Sequence, residues 1–176
     1  GLPPEPKPNL PEPPPESRWI AVKLDEPCGG PLTRRRSTTD DPLETGARID
    51  RDDSVSTSHR GAASFVTDGP VRILLDSNTA IRLAMREGGP LRVTLIMGRV
   101  LLETSSPVVV STGMADASTD RGVLQLESDD LAATAIVVEG RASYRTTQGE
   151  VAIAAGQCST ARKDAKPSTP IGCDAP

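Results

Sequence analysis

The scarcest reactive side chain in this chain of 176 residues is its one histidine, His59, in the run STSHRG. As a catalytic base it would need a nucleophile within reach and a carboxylate to orient it. Ser56 and Ser58 lie too close along the chain to serve, and no G-x-S-x-G elbow or S-x-x-K pair occurs. The context predicts a surface histidine in or beside a turn. The acidic run DRDDS (50–54), preceded by Asp40 and Asp41, offers the oxygen ligands that calcium takes. Asp50 and Asp52 suit the first two ligand positions of an EF-hand loop, but Ser54 is followed by Val55 where that loop needs glycine. A solvated turn is expected there, and another at Asp129–Asp130. No catalytic residue, cofactor site or metal site is assigned.

Arg34, Arg35 and Arg36 are the densest charge in the chain, and two aspartates follow in RRRSTTDDP (34–42). The stretch reads as a hydrated polar loop. Guanidinium forks also grip carboxylate and phosphate, so these arginines are the possible contacts to an acidic partner or to lipid headgroups. No Walker loop or GxGxxG is present to cradle a nucleotide phosphate. Cys28, Cys158 and Cys173 lack the close pairs of a zinc site. Two of the three are expected to pair in an oxidising compartment, and closeness in sequence favours Cys158–Cys173. A loop of about 15 residues adds on the order of 3 kcal/mol in the chain-entropy account. The leftover cysteine is then buried and inert, or an intermolecular handle.

Composition narrows the elements that could position such residues. Hydrophobic content is 36% but aromatic content only 2%, so a core must come from Val, Leu, Ile and Ala. Such side chains suit thin β layers. Three aromatics leave little for a sugar-binding cleft, although a carboxylate pair for glycoside chemistry stays open. Net charge is −4 with Lys and Arg scattered, which lacks the basic stripe and stacking rings that nucleic acid would require. No run of about 18 apolar residues offers a transmembrane helix. The start at Gly1 is what a mature, processed protein would show, and a trimmed chain would look the same.

Residues 1–17 hold eight prolines and no apolar period, which predicts an extended tether. WIAVKL (19–24) is the first strand, and residues 18–42 form a lead-in strand and polar loop. From Leu43 onward, short alternating segments are broken by Gly, Asp and Asn every 8–12 residues, the all-β signature. Helix is not expected. Two stretches repeat. With Gly98 set on Gly140, Val93, Leu95, Val100, Leu102 and Thr104 meet Ala135, Val137, Ala142, Tyr144 and Thr146. After one inserted residue, Val108, Val110 and Gly113 meet Val151, Ile153 and Gly156. Repeats of about forty residues built from short strands suggest stacked β layers. Residues 161–176 read as an irregular tail.

The order of these segments resembles FecR-like domains. LETGARIDRDDSVSTSHRGAASFV is similar to the opening of such a domain, and TDGPVRILLDSNTAIRLA to its next step. LRVTLIMGRVLLET, SPVVVST and AIVVEGRASYRTTQGEVAIAAGQ are similar to the later ones, so the resemblance covers roughly residues 43–158. DRGVLQL stands where the family usually places an aromatic G-T-x-F-x-V step. The resemblance implies a β-helical, solenoid-like domain (43–160) on the far side of the inner membrane. Family members that regulate sigma factors relay a receptor's signal. Here no stretch resembles their cytoplasmic segment or membrane helix, so the expected role is a non-enzymatic interaction scaffold, a sensor or adaptor in the periplasm or at the cell surface. Alternatives are a self-assembling structural subunit strapped by residues 1–17, and, from another class, a small hydrolase or sugar-binding module.

Overall fold

Short apolar–polar alternation makes strands, and among the described residues no helix forms. The computed structural model describes residues 1–5, 20–24, 32–44, 46–51, 53–67, 71–85 and 89–173. In chain order the strands are β1 (Ile20–Leu24), β2 (Thr33–Arg36), β3 (Thr39–Pro42), β4 (Arg48–Ile49), β5 (Ser54–Ser56), β6 (Ala63–Thr67), β7 (Val71–Leu75) and β8 (Ala80–Met85). They continue as β9 (Leu91–Thr104), β10 (Val108–Ser111), β11 (Asp116–Thr119), β12 (Gly122–Ser128), β13 (Ala133–Thr146), β14 (Gly149–Ala154), β15 (Gln157–Ala161) and β16 (Ile171–Gly172).

Two sheets share these strands. The first runs β1, β6, β7, the second half of β9, β12, the first half of β13, β15 and β16. The second runs β3, β2, β5, β8, the first half of β9, β10, β11, the second half of β13 and β14. β4 pairs with β1. Apart from the outermost β2–β3 hairpin and β4, which lies outside β1, both sheets keep chain order, so the polypeptide advances along one axis while alternating between them. The all-β expectation holds. The β-helical winding takes another form: a β-helix coils parallel strands, whereas the described pairings are antiparallel except for β9 with β10. Paired neighbours and bent strands do the stacking that coils would do.

β9 and β13 cross between the sheets at the repeated Gly-Arg. In β9, Leu91, Val93 and Leu95 are buried before the bend, and Val100, Leu102 and Thr104 after it. The inward phase thus switches from odd to even positions. β13 switches likewise, from Ala133, Ala135 and Val137 to Ala142 and Tyr144. Each switch is a turn about a glycine with positive φ, +96° at Gly98 and +84° at Gly140, a region where side chains are strained. β9 passes from second sheet to first and β13 from first to second, so the two copies exchange sheets. Their third strands are not equivalent. β10 returns to pair in parallel with the first half of β9, whereas β14 turns back directly on the second half of β13. Pro107 precedes β10, while only Thr147 and Gln148 separate β13 from β14, a length that favours a tight hairpin.

The two inward faces form one core. Leu95, Val100, Leu102, Val137 and Ile153 all belong to it and are at most 1% exposed. Burying each such side chain is worth about 1.5–3 kcal/mol, which is how aliphatic residues suffice with so few rings. Tyr144 fills the far end, and its hydroxyl donates across the core to the Ala133 carbonyl at 2.7 Å. There the expected irregular tail gains order. Cys158 and Cys173 form a disulfide, Cα atoms 5.7 Å apart, as the sequence favoured. β16 pairs with β15, and the Ser168 N–H donates to the Thr160 carbonyl at 2.9 Å.

Candidate interaction surfaces

The three arginines lie on a hairpin, not in a loop. β2 and β3 pair so that Arg34 faces Asp41 and Arg35 faces Asp40. Arg34 donates to Asp41 Oδ2 from Nε (3.2 Å) and Nη2 (2.7 Å), and from Nη1 to the Arg48 carbonyl (2.8 Å). Arg35 grips Asp40 with two bonds of 2.7 and 2.9 Å. The polar reading missed these strands because both faces are charged, yet opposite charges directly across a ladder stabilise it. Arg35 is the outermost of the three, its side chain 61% exposed.

Arg36 reaches Asp53, whose side chain is 1% exposed, through Nε (2.9 Å) and Nη2 (2.7 Å). The acidic run is therefore no solvated turn at Asp53. This is the only buried carboxylate among the described residues. Burial alone would raise its pKa, but the guanidinium and the Asp50 N–H, 2.9 Å away, outweigh it and hold the pKa below the usual range. Asp52 lies outside the described residues. Asp50 turns its N–H toward Asp53 and shares in that structural knot. Among the described residues no three His, Cys, Asp or Glu side chains group to hold a metal. His59 is exposed in a turn, as expected. At Asp129 the side chain accepts the Leu131 and Ala132 N–H groups at 2.7 and 2.9 Å, closing the anticipated turn between β12 and β13. Cys28 lies outside the described residues.

Two threonines that sequence reasoning passed over seal the bends. Thr79, 1% exposed, accepts the Arg99 N–H on Oγ1 at 3.1 Å, beside Gly98. Thr119, 7% exposed, donates to the Arg141 carbonyl at 2.8 Å, beside Gly140. Each lies about twenty residues before its Gly-Arg, and that spacing was the available signal. Around the first bend, Arg99 also holds Asp76, with Nε 2.8 Å from Oδ2, and approaches Glu127 at 3.4 Å. Arg99 first, then the Ser77 N–H, keep the Asp76 carboxyl below its ordinary range.

The outer faces carry open grooves. One of about 520 Å³ is lined by Val66, Arg72, Glu103, Arg121, Val123 and Glu139. Another of about 740 Å³ lies along β11, β13 and β14 and includes Ser118, Arg141, Ser143, Glu150 and Ala152. Mixed charge and short hydroxyls line both, the chemistry of contact surfaces more than of an enclosed active site. Among the described residues the exposed large apolar side chains are few: Leu2 near the start of the sequence, Ile96 and Met97 beside the first bend, Leu131 in the β12–β13 turn and Ile171 in β16.

No protein-family model matches the chain, and no curated protein does. Solved structures do. Two crystal structures of a "putative anti-sigma factor" from Parabacteroides distasonis ATCC 8503 superpose with a TM-score of 0.61, at 13% and 14% identity. The likeness covers 69% of this chain and 60% of theirs, so this chain spans less than two thirds of the neighbour's length. At such identity the shared property is the fold.

Proposed function

We propose that this protein is a non-enzymatic scaffold of the cell envelope or cell surface, a sensor or adaptor whose FecR-like domain works by binding another protein. The observation that carries the reading is the likeness of fold to an anti-sigma-factor candidate, taken with the FecR-like order of segments in the sequence. The disulfide supports an extracytoplasmic setting, since such bonds persist in oxidising compartments. The layered advance of the chain is read as solenoid-like, with residues 43–160 as the FecR-like unit, the β2–β3 hairpin paired onto it, and the proline-rich leader, most of which lies outside the described residues, as its tether. Partner contacts fall on the arginine hairpin and on exposed strand edges. There Arg35 could trade its internal carboxylate for a partner's at little net change in charge pairing.

A photo-crosslinker at position 35 in the native cell tests this. Adducts to an envelope protein are expected from position 35 and not from position 164, on the tail, with Cys158 and Cys173 oxidised. Reduced cysteines in the cell, or equal adducts from both positions, would sink it. The second reading, a self-associating structural subunit, draws on one observation, the exposed outer strand β14.

A further inference from the structure

Sheet ends attract other chains unless something blunts them, and among the described residues three of the four ends are blunted. At the start of the second sheet, β3 carries Asp40 and Asp41 and ends at Pro42, which has no N–H to offer. Beside β1, β4 is only two residues long. At the end of the first sheet, β15 is covered by β16 and by Ser168, whose Oγ accepts the Thr160 N–H at 2.9 Å. β14 differs. It runs six residues, pairs among the described residues with β13 alone, and leaves Glu150, Ala152 and Ala154 exposed.

The direction of its free backbone can be read. The Ala154 N–H does not enter the ladder but donates to Gln157 Oε1 at 3.1 Å. Strand groups alternate with a period of two, so the N–H and C=O of Ala152 and Glu150 point to the same outer side.

We propose that β14 pairs antiparallel with β14 of a second copy, centred on Ala152, joining the second sheets of two molecules into one. The sequence GEVAIA fits itself in this register. Ala152 faces Ala152 of the second copy, where small side chains let backbones approach. Glu150 faces Ala154 and never another Glu150, so no like charges meet. Val151 faces Ile153 on the core side. Because the contact is made by the same patch on both copies, it closes at two subunits and does not grow into a filament. Gln157 acts as a plug that the partner's carbonyl displaces. The inference rests on the reading that exposed strand edges make the contacts, and names their partner as the chain itself.

Sedimentation equilibrium of the full chain under non-reducing conditions tests it. Mass should rise from 18.5 kDa toward twice that value, with a Kd on the order of 10–100 μM for so short an interface. Ala152→Lys, which sets two ammonium groups against each other, should weaken pairing at least tenfold. Gln157→Ala, which uncaps the edge, should tighten it, and Thr39→Lys on β3 should leave it unchanged. Wild-type protein that stays monomeric near 1 mM overturns the proposal. So does a dimer that Thr39→Lys breaks and Ala152→Lys does not. If Ala152→Lys fails to fold, hydrogen exchange on the wild type decides. The amides of Glu150 and Ala152 must gain protection with concentration, and unchanged exchange overturns pairing. Failure here leaves the adaptor reading standing, because that reading is judged by cross-linking in cells.

Discussion

At the scale of single residues, two polar groups should reveal themselves by what their loss costs. Asp53 is held ionised by Arg36 and the Asp50 N–H. Its folded pKa is lower than its unfolded one, so the unfolded chain binds more protons in the intervening range. Its contribution is therefore complete above about pH 5 and is lost as pH falls through about 4 and below. Asp53→Asn should lower the urea midpoint at pH 7, and the gap from wild type should narrow toward pH 3. A gap that widens on acidification contradicts the ion-pair assignment. Thr119→Val keeps shape but deprives the Arg141 carbonyl of its hydroxyl donor, at a cost of about 1–3 kcal/mol. Chemical denaturation reads that difference directly.

At the scale of elements, the bends make a sharper test than the strands. A Cβ on Gly140 would sit 2.4 Å from the Arg121 carbonyl oxygen, at a φ of +84°. Gly46 has a similar φ of +81° with open space around it. Gly140→Ala combines strain with overlap and should cost about 2–4 kcal/mol, whereas Gly46→Ala should cost only about 1–2. Equal costs in thermal melts would mean that close approach at the bend has no energetic weight. The same elements show what sequence can disclose. Alternation in β9 and β13 was visible because each half has one buried face, and Gly98 and Gly140 marked where the phase breaks. Residues 33–42 hid their strands because Arg and Asp meet across the ladder rather than facing a core. The pairing of β10 could not be read either: Val108 and Val110 look the same whether their neighbour runs parallel or antiparallel. Of the surface sites, the arginines were legible as charge. Their carboxylate partners were not, since Asp53 lies seventeen residues from Arg36.

At the scale of the molecule, the disulfide closes the last layer. Opening it should cost about 3 kcal/mol, or about 6–12 °C in Tm for a domain of this size. Comparing melts of wild type and the Cys158→Ser, Cys173→Ser double variant, with and without reductant, checks this. Reductant should move the wild type and leave the variant where it is. The strict succession of layers bears on a different matter, how the chain comes to be folded at all. A polypeptide delivered from its N-terminus finds, for each newly arrived hairpin, a template already laid down by its immediate predecessor. The closure entropy of these non-local pairings is then met one layer at a time rather than all at once. Assembly can then keep pace with delivery, and Cys173, which latches the structure, emerges after all the described strands.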